Sequence, residues 1–308
     1  MFVTTKRLVQ LSAPSVRCYQ KKIVHLTSLN DLGNRKTVQS LIDKGISIKE
    51  HPIKYKESLS GQGILMLFQN QSMRTQISFE AGAYQLGGHA IKHSVEEEPN
   101  FEEVAKVTSR FVKCIVARLK NDRDIETLAQ HSSVPVINGG SPSAHPCQAL
   151  SDLMTIQQKK RTKTMEQLTA CYVGAQSAQL NDLIRLCGIM RMPLRVCTGA
   201  SEIQIKDFDK SVVTLHEDPR TAMNGADVVY TDLGLTAQGP TQVNRDLMSL
   251  AKEDAIILSS LPADRDVGAF KDIVQGKQSS VVYDQALNRL FIHKALLVYL
   301  LAPRFFEN

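Results

Sequence analysis

No stretch of this 308-residue sequence approaches the roughly 20 consecutive apolar residues that a membrane-spanning helix needs, so none is expected. The longest apolar run, 295–302, fits a buried terminal helix instead. Cys-x-x-Cys pairs and histidines at zinc spacing are also missing, which removes ribbon and finger architectures. The six cysteines, at 18, 114, 147, 171, 187 and 197, stand apart from one another, four of them in or beside apolar stretches. They are expected to be small core residues in a reducing compartment. Internal repeats and low-complexity tracts are absent. Acidic residues are absent from 1–22, where Lys6, Arg7, Arg17, Lys21 and Lys22 account for five of the net charge of +6. One excess charge is left for the body, too little for a nucleic-acid surface. Neither nucleic acid nor a membrane is expected as a partner.

The acid-free start interleaves Phe2, Val3, Leu8, Val9 and Leu11 with Lys6, Arg7 and Gln10, and Thr4, Thr5, Ser12 and Ser15 add hydroxyls. That is the composition of a mitochondrial transit peptide, with Arg17-Cys18-Tyr19 similar to a matrix-protease site. Residues 1–22 are therefore expected to direct the chain to the mitochondrial matrix. A solvated tail is the plain alternative.

The remaining length suffices for two α/β units of about 150 residues each. A helix is predicted over 30–49, capped by Asn30 or Asp31 and carrying Leu32, Val38, Leu41 and Ile42 at helical spacing. Strands at 64–68, 114–117 and 134–137 follow, with helices at 75–86, stopped by Gly87-Gly88, and at 146–158. After the charged stretch 159–167 a second alternation begins, with strands at 170–173, 194–197, 212–215, 228–230, 255–258 and 281–283 and a closing helix over about 287–301. Alternating strands and helices imply α/β architecture: two doubly wound parallel-sheet domains bridged by helices. In such sheets ligands bind beyond the carboxyl ends of strands, so chemistry is sought there.

After Phe68 the chain reads Gln69-Asn70-Gln71-Ser72-Met73-Arg74-Thr75-Gln76 and enters a helix. Unpaired N–H groups, the Ser72 and Thr75 hydroxyls and the Arg74 cation would make a phosphate cradle. Taken alone, Ser72 is equally an ordinary N-cap and Arg74 a surface charge. Three further strand ends and helix starts add to it. Arg118 follows Val116-Ala117. His145-Pro146-Cys147-Gln148 follows Asn138-Gly139-Gly140 and offers an imidazole and a carboxamide, suited to a carbonyl oxygen and an amide NH2. Asn288-Arg289 brings another cation.

Together these residues resemble the aspartate/ornithine transcarbamylases, over about 24–302. Ser72-Met73-Arg74-Thr75-Gln76 matches that family's Ser-Thr-Arg-Thr-Arg at three of five positions, Phe79-Glu80-Ala81-Gly82 and Leu86-Gly87-Gly88-His89 also fit, and His145-Pro146-Cys147-Gln148 resembles the ornithine branch. The resemblance implies transfer of the carbamoyl group of carbamoyl phosphate to the ornithine δ-amine, giving citrulline and phosphate, with no metal or organic cofactor, within arginine biosynthesis or the urea cycle. It implies a carbamoyl-phosphate domain at 23–158, an amino-acid domain at 159–286 and a C-terminal helix, 287–308, packed back on the first. By the same resemblance Ser72, Met73, Arg74, Thr75, Arg118, His145, Gln148, Leu261 and Arg289 meet carbamoyl phosphate. Arg118, His145, Gln148 and Ser260 stand at the reacting groups, and Ala178, Asp232, Thr236 and Ala237 meet the amino acid. A homotrimer, or a trimer with a paralogue, is implied too.

The sequence also departs from the family. Gln76 replaces an arginine and Met73 a threonine. The loop 93–100 is short and carries Glu96-Glu97-Glu98, which is either a solvated acidic loop or a source of repulsion for an anionic ligand. Gly174-Ala175-Gln176-Ser177-Ala178 stands where a Gly-Asp-Gly-Asn-Asn-like turn is usual, and it is not a dinucleotide fingerprint either. Gly234 replaces a tryptophan, Thr236-Ala237-Gln238 a Ser-Met-Gly, and Ser259-Ser260-Leu261-Pro262-Ala263 a His-Cys-Leu-Pro-Arg. Three readings stay open on the sequence: a working or weakened ornithine carbamoyltransferase, a pseudoenzyme that binds carbamoyl phosphate or regulates, and a structural subunit.

Overall fold

The computed structural model describes residues 23–70, 72–95, 99–199, 208–231, 243–259 and 281–307. Residues 1–22 and the triplet Glu96-Glu97-Glu98 lie outside them.

Nine strands among the described residues form two fully parallel sheets. The first contains β1 (Gly63–Phe68), β2 (His89–Ser94), β3 (Cys114–Arg118) and β4 (Val136–Asn138), in the order β2-β1-β3-β4. The second contains β5 (Ala170–Val173), β6 (Leu194–Cys197), β7 (Val213–Leu215), β8 (Val228–Thr231) and β9 (Ile256–Leu258), in the order β7-β6-β5-β8-β9. In both sheets the chain winds outward from a central strand in two directions, as in doubly wound α/β folds. Every residue of the central strands β1 and β5 is buried, which is why they read as unbroken apolar runs. Each fully buried Leu, Ile or Phe in these cores is worth about 1.5–3 kcal/mol.

Helices α1 (Arg35–Glu50), α2 (Met73–Gln85), α5 (Pro146–Lys159) and the long α9 (Val282–Leu301) pack against one another and carry the second half of the chain back onto the first. The intervening α3 (Phe101–Thr108), α4 (Asp122–His131), α6 (Ala178–Met190), α7 (Pro219–Met223) and α8 (Arg245–Met248) cover the sheets. The five described cysteines are all buried and free, as core residues should be.

Three expectations need correction. The helix predicted from Asn30 is broken. A 3-10 turn, Leu29–Leu32, ends at Gly33, whose φ of 71° suits glycine, and Asn34 then caps α1 by accepting from the Thr37 N–H. The segment 281–283 is the start of α9 rather than a strand, and the closing helix begins at Val282 instead of near 287. Its Val-Val-Tyr run favours strand locally, but burial of Val281 and Val282 overrides that preference. Finally, His93 and Ser94 belong to β2, an edge strand paired with β1 from Gly63↔His89 to Phe68↔Ser94. It is polar and mostly exposed, so no hydrophobic pattern announces it.

Candidate active site

The carboxyl ends of β1, β3 and β4 and one face of α9 converge on a cluster of cations. At the end of β1, Ser72 opens α2 without capping it. Its hydroxyl donates instead to Thr75 Oγ1 at 3.0 Å, and Thr75 is fully buried. Ser72 thus holds the N-cap position of α2, but its hydroxyl makes no capping bond. Arg74 is half-buried on the first turn. Met73 beside it is 72% exposed, so what it can offer an anion is its backbone N–H rather than its side chain. Gln76 turns along the helix and donates to Glu80 at 3.0 Å.

Arg118 ends β3. Its Nη1 donates to the Gly139 carbonyl at 2.9 Å and lies 3.3 Å from His145 Nε2. The loop after β4 is built for this approach. Asn138 Oδ1 accepts from the Gly140 N–H at 2.9 Å, and Gly140 adopts φ 129°. A Cβ there would stand 2.1 Å from Arg118 Nη1, so only glycine lets the guanidinium pass. His145 then precedes Pro146 at the start of α5, with its backbone N–H donating to Asp182 Oδ2 on α6. Asp182 is fully buried and also accepts from Arg185 at 3.0 Å.

Arginine cannot accept a hydrogen bond, so Arg118 is the donor and His145 Nε2 the acceptor. The neutral ring accordingly carries its proton on Nδ1, which is buried without a partner among the described residues. Burial, then Arg289 and Arg118, hold the His145 pKa well below its usual value, so the ring is neutral at physiological pH. Arg289, on α9, is 5% exposed, and burial followed by repulsion from Arg74 lowers its pKa to about 10. Burial followed by Arg118 lowers Arg74 too. Among the described residues no hydrogen bond or ion pair to a carboxylate reaches the guanidinium of Arg74, Arg118 or Arg289. Asp152 acts on Arg289 through space only, so three partly or wholly buried cations with no carboxylate in contact among the described residues form a standing site for a strongly anionic ligand. A second neutral histidine, His293, lies on the same helix as Arg289. It stacks on Phe79 at 3.7 Å and meets the Ser78 hydroxyl at 2.8 Å.

Two clefts meet at Gln148, Ser259 and Gln285. One is lined further by Arg74 and Arg289. The other reaches Asp152 on α5 and, around the carboxyl ends of β5 and β8, Tyr172, Ser177, Tyr230 and Thr231. Gln148 donates through Nε2 to Asp152 Oδ1 at 2.6 Å, and Gln285 Nε2 donates to the same oxygen at 2.6 Å. Burial pushes Asp152 up to about 6 against these two donors. The Tyr230 hydroxyl, in the second cleft, is buried without a partner among the described residues.

The structure thus brings together Ser72, Arg74, Thr75, Arg118, His145, Gln148 and Arg289. Ala178 is the first residue of α6, and its neighbours Ser177 and Gln179 line the second cleft. Asp232, Thr236, Ala237, Ser260 and Leu261 lie outside the described residues. Reasoning from sequence missed Asp152, Asp182, Tyr230 and Gln285. Asp152 and Gln285 each stand four residues from an expected site residue on a helix, a spacing that shares one face. Nothing in the local pattern marks Asp182.

With this geometry in view, the comparisons with known proteins converge. Residues 24–158 match the family model "Aspartate/ornithine carbamoyltransferase, carbamoyl-P binding domain", and 166–300 match the "Asp/Orn binding domain" of the same family. The ornithine carbamoyltransferase of Methanocaldococcus jannaschii is 35% identical over 306 residues, covering 90% of this chain and 99% of that one. The crystal structure of ornithine carbamoyltransferase from Burkholderia thailandensis superposes with a TM-score of 0.83 at 32% identity, covering 92% and 100%. A mitochondrial ornithine carbamoyltransferase from Coccidioides immitis gives 0.80 at 26% identity, covering 91% and 98%. This chain belongs to the aspartate/ornithine carbamoyltransferase family.

Proposed function

We propose that the chain binds carbamoyl phosphate among Arg74, Arg118, Arg289 and the first turn of α2, and passes its carbamoyl group to an amine entering from the second cleft, with the ornithine δ-amine as acceptor. The observation that carries this is the set of three guanidinium groups that no carboxylate contacts among the described residues, beside a neutral histidine. The phosphate dianion supplies the missing charge. The carbamoyl oxygen meets donors: the Arg118 guanidinium and the His145 Nδ1–H. The carbamoyl NH2 meets the Gln148 carboxamide.

The amine lone pair attacks the carbonyl carbon, forming a C–N bond. The C–O bond to phosphate then breaks, and the proton lost by the nitrogen leaves on the phosphate. Arginines that hold the phosphate gain strength as charge collects on the leaving oxygen, and the His145 donor stabilises the transient oxyanion. Holding both reactants at the junction of the two clefts supplies the remainder by proximity. The division of labour follows the domains, with 23–158 for carbamoyl phosphate, 159–286 for the amino acid and 287–308 closing onto the first. A leader at 1–22 delivers the protein to the mitochondrial matrix, and assembly is as a trimer of like chains or with a paralogue.

A second reading, a carbamoyl-phosphate-binding protein that does not turn over, is favoured by two observations. Gln76 is engaged with Glu80, and apolar Ala178 opens α6 beside the second cleft. An assay of citrulline formation from carbamoyl phosphate and ornithine separates the two. Turnover in the ordinary range of about 1–10³ s⁻¹ supports the transferase. Background citrulline with saturable carbamoyl-phosphate binding supports the second reading.

A further inference from the structure

Gln148 has a carboxamide whose two ends are chemically opposite, and its recognition of a ligand depends on which end faces the cleft. The ionised carboxylate of Asp152, one helical turn along α5, can accept but not donate. The Gln148 atom 2.6 Å from Asp152 Oδ1 is therefore the NH2 nitrogen. Gln285, entering from α9, is held the same way round: its Nε2 lies 2.6 Å from the same oxygen, and its Oε1 accepts from the Ser259 N–H at 3.4 Å at the end of β9. Two donors on one carboxylate oxygen fix the carboxylate as well as the carboxamides. Asp152 is 6% exposed and Gln285 3%, so neither rotates freely into solvent. Gln148 Oε1 is left with no hydrogen bond among the described residues, on a side chain that lines both clefts. The other polar side chains of the cation cluster, Arg74, Arg118, Arg289 and His145 Nδ1–H, are donors. This oxygen is an acceptor set among them.

We infer that Asp152 and Gln285 are positioning residues that hold Gln148 with its oxygen toward the ligand, and so make the site select an acyl phosphate bearing an N–H donor on its acyl carbon. The inference rests on the carbamoyl-phosphate reading above. Carbamoyl phosphate and acetyl phosphate share the phosphate and the carbonyl and differ in NH2 against CH3. The arginines cannot tell them apart, whereas an outward Oε1 can. Without the carboxylate the carboxamide is free to turn, and its NH2 then faces the carbamoyl NH2, donor against donor. Asp152 acts through Gln148 and need not touch the ligand.

The test titrates the full chain with carbamoyl phosphate, acetyl phosphate and inorganic phosphate. The unmodified chain is expected to bind carbamoyl phosphate about ten-fold more tightly than acetyl phosphate, the worth of one hydrogen bond. Asp152→Ala lowers that ratio to about one while inorganic phosphate, which shares every ionic contact of the acyl phosphates, binds no more weakly than to the unmodified chain. Asp152→Asn, which keeps one acceptor oxygen, retains more of the ratio than Asp152→Ala. Gln285→Leu, a milder change on the partner helix, lowers the ratio about three-fold and serves if Asp152→Ala does not fold. A ratio unchanged by Asp152→Ala or by Gln285→Leu overturns the inference, as does an unmodified chain that binds both acyl phosphates equally. An unmodified chain that binds none of the three ligands instead defeats the carbamoyl-phosphate reading itself.

Discussion

Arg118 Nη1 sits 3.3 Å from His145 Nε2, and this one contact sets the chemistry of both groups. It fixes the imidazole tautomer, leaves Nδ1–H as a donor with no partner among the described residues, and puts a cation against a ring that burial already keeps neutral. The contact exists because Gly140 adopts a φ of 129° and has no side chain in the way.

Gly140→Ala should therefore act as an active-site mutation although it removes no functional group. Its Cβ would lie 2.1 Å from Arg118 Nη1 and in a backbone region hostile to L-residues. Inorganic phosphate affinity, followed by titration calorimetry, is expected to fall at least ten-fold, the loss of one charged hydrogen bond.

Arg74→Gln separates binding from stability. Removing one charged contact weakens carbamoyl-phosphate or phosphate binding by ~10- to 150-fold. The ligand-free protein loses a cation that repels Arg289, so its denaturant midpoint is expected to hold or rise. In the unmodified protein added phosphate raises the melting temperature as mass action requires, and raised salt diminishes the effect by screening.

Asp182 offers a pH test of the link between the two sheets. Burial lifts its pKa from 3.8 to about 6, so its ionised form is disfavoured in the fold. The stability it contributes is fully present below the unfolded value and is lost as pH rises through about 6. Asp182→Asn cannot ionise. Its stability relative to the unmodified protein is expected to improve by up to about 3 kcal/mol between pH 4 and pH 7. Urea unfolding of the two proteins across that range measures it, and a constant difference would show that Asp182 does not titrate in this way.

Much of the fold was legible in the sequence because its central strands are buried on both faces and read as apolar runs, as Gly63–Phe68 does. The edge strand His89–Ser94 was not, because its residues meet solvent and carry no period. The start of α9 was misread because Val281-Val282-Tyr283 obeys strand preference locally while tertiary packing makes it helix. At the site, Ser72, Arg74, Arg118, His145, Gln148 and Arg289 were visible as functional residue types at strand ends and helix starts. Asp182 and Gln285 were not, because their roles lie in whom they meet across 37 or 133 positions of chain, whereas the hold of Asp152 on Gln148, four residues away on α5, is a contact that spacing along one helix does carry. Sequence spacing reports contacts along one helix and is silent about contacts between helices.

The central claim is that Arg74, Arg118 and Arg289 form a preformed site for carbamoyl phosphate. Calorimetric titration of carbamoyl phosphate into the full chain tests it most directly. The account predicts saturable binding of one ligand per chain, in competition with inorganic phosphate and weakened by Arg74→Gln. Absence of binding, or binding indifferent to both phosphate and Arg74→Gln, would contradict it.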